Sequence, residues 1–414
     1  MAQTLSSFAE ALKRKYIGPI RDQLNNATYL DSIIEENSDD VTGDALTAFI
    51  PTHMTRNYGI GARDVLGSLP VAGREGYVQA QVAMKYVYGR IQLAGQLFNA
   101  SKTSDTAFIK AANAETIGVT TAAKIHQAKM SFGDASGALG RINQSSGSVT
   151  AGSTIGVDEP GVIWLEPGMK IVGFSAKTGG TQGFGGATVT VASVNRTTNT
   201  ITLEETITIT NNDFLFLEGE RGLQIMGLRG IIDGGTTPLY VTTLQAISRT
   251  TYPQWKANVL DNPLGTGGTN RPLTLDLVQN AFEQSEIIGG KPCTHICSSY
   301  AARRRYLDLL VADRRYTPDL KLVGGFNLLA YTGGGQEVKW AADRFCPDSE
   351  IFFINRPSIQ RYTASDWDWM DRDGAMLNRV AEKDAYEATL YRYYNNGADQ
   401  PNANTVLRDI STTL

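Results

Sequence analysis

The chain has 414 residues, with 38 basic and 42 acidic side chains and a net charge of −4. That length allows two or three domains with a sizeable core, and the slight acidity argues against a main role in gripping nucleic acid electrostatically; a protein that only encloses nucleic acid needs no basic excess. Three cysteines are too few for a disulfide framework, the first thirty residues hold no apolar signal-peptide core, and no apolar run reaches the ~18 residues of a membrane span, so cytosolic synthesis and no membrane partner are expected.

Residues 1–50 read as an arm. Phe8, Leu12, Ile17 and Ile20 suggest a short amphipathic helix. Leu24, Tyr29, Leu30, Ile33 and Ile34 follow, then an acidic stretch from Glu35 to Asp44. So few apolar residues form no separate core, and the segment is expected to lie on another surface.

Residues 70–132 are the most informative. The glycine-bracketed run PVAGREGYVQAQVAMKYVYGRIQLAGQ alternates with period two: Tyr77, Val82, Met84, Tyr86 and Tyr88 interleave with Gln79, Gln81, Lys85 and Arg90. It is too long and too polar on one side for an ordinary core strand, and a two-stranded ribbon is marginal alone in water. The sequence shows no local cover, so a second copy of the chain is the expected one. A helix then opens near Thr103-Ser104-Asp105, good N-cap types, and runs to about Met130. Its seam of Ile109, Ala112, Thr116, Val119, Ala123, His126 and Met130 is shallow, which suits close backbone approach.

Residues 145–222 change character: Gly, Thr, Ser and Val dominate, and short strands alternate with turn residues, among them Pro160-Gly161, Pro167-Gly168 and the hairpin Arg196-Thr197-Thr198-Asn199. This reads as a small antiparallel barrel or sandwich inserted into a mixed α/β host. From Leu223 the mixed pattern returns. Thr274 opens a helix through Val278, Ala281, Phe282 and Ser285, stopped at Gly289-Gly290. Thr294 to Cys297 is a strand, Ser298 or Ser299 caps a helix carrying Arg303-Arg304-Arg305, and Asp384 to Tyr394 is a long late strand.

The chemical candidates are weak. Cys293, His295 and Cys297 with Cys346 could offer zinc four soft ligands, but the spacing is not that of a knuckle, and buried cysteines commonly act as small apolar residues. A nucleophile–histidine–acid triad would need His53, His126 or His295; His126 lies on the apolar seam and His295 in a core strand. Gly289-Gly290-Lys291-Pro292 lacks the other parts of a phosphate loop, and the Gly179–Gly186 cluster lies in the strand-rich insertion, where a dinucleotide site has no strand-to-helix turn. The run Asp366 to Gly374 does not match a calcium loop; with Trp367 and Trp369 it reads as an interface, where tryptophans act as anchors, or as a structural turn. The arginines of 303–305 and Arg314-Arg315 read as a solvated helix face or as ion pairs to acidic neighbours, ahead of packaged nucleic acid as a partner. No catalytic residue, cofactor or metal is expected.

The order of parts, arm, ribbon, long helix, mixed body and late strand, resembles the major capsid protein of tailed bacteriophages, the Hong Kong 97-type fold. The segments GLRGIID at 227–233, TLQAISRTTYPQWKANVLDN at 243–262, RRRYLDLLVADRRY at 303–316, ASDWDWMDRDGA at 364–375 and KDAYEATLYRYY at 383–394 look like a subgroup of that family. The resemblance implies an α+β shell subunit that is not an enzyme. It implies an N-terminal arm at 1–50, an extended loop region at 51–100, a peripheral domain with its spine helix at 101–144, and the inserted β domain at 145–222. The chain then returns to the peripheral domain at 223–270, forms a mainly axial domain at 271–370 and adds final strands at 371–414. Arg74, Tyr77, Lys85, Tyr86, Arg90, Trp367 and Trp369 are the candidate inter-subunit contacts. The partner is the chain itself in pentamers and hexamers, around double-stranded DNA held without sequence-specific binding, in a virion. Portal, scaffolding and decoration proteins are the further partners that the family admits. With a short arm after Met1, any scaffolding is expected from a separate protein. The founding member's lysine–asparagine cross-link is not carried over: Lys85 lies in the right region, but no matching asparagine motif follows. Two other readings stand beside this one: a carbohydrate- or protein-binding module built on the insertion, with Trp164, Phe174 and Phe184 as its few stacking aromatics, and a zinc enzyme using the cysteine set.

Overall fold

The computed structural model describes residues 29–39, 41–42, 46–94, 105–234, 241–262, 270–313, 328–333, 336–371, 378–380 and 383–411. Most of the arm, the expected N-cap at Thr103-Ser104, Arg314-Arg315 and the end of the acidic run, Arg372 to Gly374, lie outside those residues. The described helices are α1 (Tyr29–Ile33), α2 (Asp105–Phe132), α3 (Leu228–Ile231), α4 (Leu275–Gly289) and α5 (Tyr300–Asp313). The chain divides into two compact units, one of residues 1–34, 85–225 and 363–394 and one of residues 35–84, 226–362 and 395–414.

The first unit is built on α2, which at 1.5 Å per residue is about 42 Å long. Small and hydroxyl residues line its contact face: Thr116, Thr120 and Ala123 are buried, and Thr120 Oγ1 turns back onto the Thr116 carbonyl at 2.7 Å. The last turns are buried on all sides, so Gln127 and Lys129 are enclosed as well as Met130 and Phe132. Part of the arm meets this helix: Leu30 and Ile33 of α1 are buried, and Ser131 Oγ donates to Asp31 at 3.2 Å.

Strand Lys85–Ala94 packs on α2 and pairs antiparallel with the late strand, from Lys85↔Tyr394 to Ala94↔Ala385. This corrects the expectation that the whole ribbon lacks local cover. The close packing depends on Gly89: a Cβ there would stand 2.9 Å from Val119 Cγ1. A closed barrel follows, its strands ordered Val189–Asn195, Thr200–Leu203, Thr154–Asp158, Ala138–Ile142, Phe214–Leu217 and Lys170–Phe174. Closure leaves no open edge, and Ile155, Ile171, Val191, Ile201, Leu203 and Leu215 are buried. The hairpin at 196–199 closes because Asn195 Oδ1 accepts from the Thr197 and Thr198 amides, with Asn199 in the left-handed region at φ 50°.

The second unit holds a six-stranded mixed sheet in the order Asn258–Leu260, Thr405–Leu407, Ile351–Ile354, His295–Ser298, Gln336–Ala342 and Leu328–Gly333. Ile296 lies in register with Trp340 on one side and Phe353 on the other. On that face they pack against Val278, Ala281 and Phe282 of α4 and Ala302 and Tyr306 of α5. Thr274 Oγ1 caps α4 by accepting from Leu277 N–H, and Ser299 Oγ does the same for α5 from Ala302 N–H. Beyond the sheet, a buried ion network joins Arg249 to Asp233 at 3.6 Å and Arg408 to Asp233 and Glu350 at 3.8 and 3.5 Å. Arg249 also donates to the carbonyls of Val241 and Ile231, and burial pulls its guanidinium down to about 10.

The two glycines that end α4 act differently. Gly290 takes the left-handed C-cap at φ 66°. Gly289 keeps an ordinary helical backbone but lies against the turn at 401–403, where a Cβ would meet Ala403 Cα and Asn402 O at 2.6 Å each. Helix propensity alone would favour Gly289→Ala by roughly 1 kcal/mol. Overlap with backbone reverses the sign, and the substitution is expected to cost about 1–3 kcal/mol, read as a lowered urea midpoint; a stabilised variant would refute the close approach.

Candidate functional site

The second unit carries a hairpin of Thr47–Thr55 with Gly76–Ala83, in register from Thr47↔Ala83 to Thr55↔Gly76 with a bulge near its far end. Its base is anchored, since Ala48, Val82, Met84 and Tyr362 form a buried cluster. Gly397 permits this, because a Cβ there would fall within 3 Å of Gln245, Tyr362 and Val82. Away from the base, burial of alternate residues fades along both strands. The connecting residues 56–75 then present Tyr58, Ile60, Val65, Leu66, Leu69 and Val71, each at least 85% exposed.

Only local bonds hold this tip. Arg63 Nε donates to the Ser68 carbonyl at 2.9 Å, Asp64 Oδ1 accepts from Val65 N–H, and Asn57 Oδ1 accepts from Gly59 N–H. At its foot Tyr77 donates to Glu75 at 2.6 Å, and His53 faces the same carboxylate at 3.8 Å. A soluble monomer rarely exposes a contiguous apolar patch of this kind. At roughly 1.5–3 kcal/mol per fully buried side chain, covering six of them offers on the order of 10 kcal/mol before the costs of association. Nothing among the described residues covers these six side chains.

The residues expected at subunit contacts do not all meet here. Arg74 and Tyr77 belong to the hairpin and are exposed. Lys85, Tyr86 and Arg90 belong instead to the strand of the first unit. There Tyr86 and Tyr88 stand half-exposed against Tyr393, with ring centroids 5.0 and 6.1 Å away, and Arg90 pairs with Glu387. Lys85 Nζ donates to the Gly222 carbonyl at 2.9 Å, and burial lowers its pKa.

Trp367 and Trp369 require correction: both are buried, at 2% and 1% exposure. The run at 366–369 is part of a strand, so the aspartates turn one way and the tryptophans the other. Trp367 Nε1 donates to Gln127 Oε1 at 3.1 Å, and Asp366 lies 3.5 Å from Arg392. They are core side chains and not exposed anchors. The residues that the sequence reading missed are Ile60, Val65, Leu66, Leu69 and Val71. Their signal was an apolar run broken by Gly and Pro with neither helical nor strand period, GIGARDVLGSLPVAG.

The sites of the other readings are dispersed. Among the described residues no three of His, Cys, Asp and Glu come together as a metal set. Cys293 Sγ faces the backbone carbonyls of His295 and Ile354, and burial pushes its thiol up to about 12. Burial also raises Cys346, which lies beside Cys297. The stacking aromatics expected for a sugar are occupied: Trp164 and Phe184 are buried, and Arg221 lies 3.8 Å over the Phe174 ring. His126 Nε2 stands 3.3 Å from Glu220.

With this geometry in view, comparison with known proteins gives a fold. Neither protein-family models nor curated proteins match the chain. Among solved structures, the capsid asymmetric unit of cyanophage A-1(L) is similar over 91% of both chains, at 12% identity and a TM-score of 0.52. The capsid of the native GTA particle covers 92% of this chain and 90% of its own at 9% identity and a TM-score of 0.45. The capsid of Myoviridae phage XM1 covers 92% and 91% at 7% and 0.42. The cyanophage likeness carries the conclusion that this chain has a phage-capsid fold.

Two outcomes follow from the site. Substituting Ile60, Leu66 and Leu69 together by Ser should move the urea midpoint of the unassembled chain by less than about 0.5 kcal/mol equivalent, because they touch no core; a larger loss would place them in one. Burial outweighs Glu220 at His126 and lowers its pKa, and burial, helped by Arg356 and Lys339, lowers that of His295. A depressed histidine stabilises the fold in its neutral form. That stability is complete above the unfolded value near 6.5 and is lost as pH falls below it. The urea midpoint should therefore drop between pH 7.5 and 5, less steeply in His126→Gln, and an unchanged slope in that variant would refute the shift.

Proposed function

We propose that the chain is the major capsid protein of a tailed bacteriophage, assembling through copies of itself into pentamers and hexamers of a closed shell around double-stranded DNA. The observation that carries this reading is the anchored hairpin with an uncovered apolar tip, on a chain whose fold matches a capsid subunit over nine-tenths of its length. A neighbouring copy supplies the cover. Such a contact joins two different surfaces of identical chains, and contacts of that kind close into rings.

In this reading α2 is the spine helix and, with the inserted barrel, belongs to the peripheral part of the subunit, while the six-stranded sheet with α4 and α5 is its axial part. Arg74 and Tyr77 act on the extended hairpin; Lys85, Tyr86 and Arg90 belong to the surface on which a neighbour lies. The enclosed DNA is held without sequence recognition, which fits a net charge of −4. No catalytic step is assigned, and scaffolding, portal and decoration proteins are partners from outside the chain.

The test is particle mass of the purified protein by light scattering, with negative-stain imaging. Closed shells or free pentamers and hexamers are expected. The triple Ser variant at Ile60, Leu66 and Leu69 should remain folded and stop at small species. A strictly monomeric or dimeric wild type at high concentration, with phage-lysate factors added, would overturn the reading.

A further inference from the structure

The second unit holds a pair of cysteines that the shell reading leaves without a role. Cys297 lies in the strand His295–Ser298, in register with Ala341 on one side and Phe352 on the other. Its neighbour Ile296 faces α4 and α5, so strand alternation turns Cys297 to the opposite face of the sheet. Cys346 reaches that face in the turn that follows strand Gln336–Ala342. Asp343 N–H donates to the Ser298 carbonyl at 2.9 Å, which sets the turn beside the end of the Cys297 strand, and Cys346 N–H donates back to the Asp343 carbonyl. The turn is pinned again where Glu350 meets Arg229 at 3.1 Å and Arg408 at 3.5 Å.

These bonds bring two thiols together. Cys346 and Cys297 are in side-chain hydrogen-bond contact, and both are fully buried. Cys346 Sγ also lies 3.8 Å from the carbonyls of Pro347 and Glu350. Cys293 stands apart from the pair, in the helix-side core with Ile296, Phe282 and Tyr306.

We propose that Cys297 and Cys346 close into a disulfide when the chain meets an oxidant, a lock that joins strand 295–298 to the turn at 343–350. The oxidant that suits a closed site is small and uncharged, a peroxide. One cysteine sulfur attacks the O–O bond and becomes S–OH, and the other peroxide oxygen leaves as water with the thiol's proton. The second sulfur then displaces the hydroxyl, which leaves with the second thiol's proton as another water, and the S–S bond forms. The two sulfurs give up two electrons and the peroxide takes them.

Burial raises the Cys346 thiol, so the attack is slow. Slow closure fits the setting: in the shell reading the chain is made in a reducing cytosol, and the particle then persists in an oxidising exterior. The pairing rests on the geometry of the second unit, and only this timing rests on the shell reading. The linked residues stand forty-nine apart in sequence, and a cross-link across a long loop constrains the unfolded chain strongly.

The experiment exposes the folded, unassembled full chain to hydrogen peroxide and follows its intact mass, with peptide mapping after digestion. The expected product is about 2 Da lighter, carries a linked 297–346 peptide and keeps the thiol of Cys293 free. Its urea midpoint should rise by about 1 M and return to the starting value with dithiothreitol. Cys297→Ser and Cys346→Ser should each remove both the mass loss and the rise, whereas Cys293→Ser keeps both. Should a Ser variant fail to fold, the wild-type map still decides. A folded wild type that keeps all three thiols free after prolonged exposure, or that gains oxygen at Cys297 or Cys346 in place of the link, would overturn the proposal. A link already present in chain from a fresh lysate would overturn the timing and leave the lock. A wild type that forms no particle would remove the shell reading, and the lock would still be read on the unassembled chain.

Discussion

The constraint on which this structure turns is that a two-stranded ribbon cannot bury its own apolar side chains. A pair of strands has two faces, and in water three or more strands or a packed layer are needed to cover one of them. The hairpin at 47–83 meets that need only at its base, where Ala48, Val82 and Tyr362 pack together. Six large apolar side chains beyond it contribute nothing to the subunit that carries them. In the proposed shell their contribution would come on association, so the same surface that adds nothing to folding would drive assembly.

The rest of the chain is tied together within each of its two units. In the first unit the barrel closes on itself, and the late strand covers the strand at 85–94. Lys129, nearly buried at the end of α2, is neutralised by Glu166 at 2.9 Å, which ties the helix to the barrel region. In the second unit the buried arginines 249 and 408 hold separate segments through Asp233 and Glu350. Buried ion pairs of this kind are weak sources of net stability, but breaking one leaves an uncompensated charge. They fix geometry more than they add stability.

Much of this was legible in the residues. Period-two alternation marked the strands, and Thr274, Ser299 and Gly290 marked helix ends because capping is local chemistry. The turn at 196–199 was legible for the same reason. What failed was pairing. Residues 70–94 look like one continuous ribbon, yet the chain changes partner near Met84: residues 76–83 pair with 47–55, and residues 85–94 pair with 385–394. Partner choice lies some 300 residues away in sequence for the second half, and alternation carries no information about it. The tryptophans failed for a related reason. Asp-Trp-Asp-Trp reads as a polar surface by composition, but strand alternation sends the two residue types to opposite faces.

In the proposed shell, apolar burial at the hairpin tip and polar contacts elsewhere would do different work. Apolar burial is non-directional and would accept several registers, so by itself it supplies association without a fixed angle. Charged faces contribute little net affinity when exposed, yet they disfavour wrong pairings strongly and set register. In the proposed shell both are needed, because five- and six-membered rings would form from the same chain through a contact that tolerates a small change of angle. Long, solvated Arg and Glu side chains suit that tolerance better than an interlocked apolar contact, which is sensitive to shifts of one methylene.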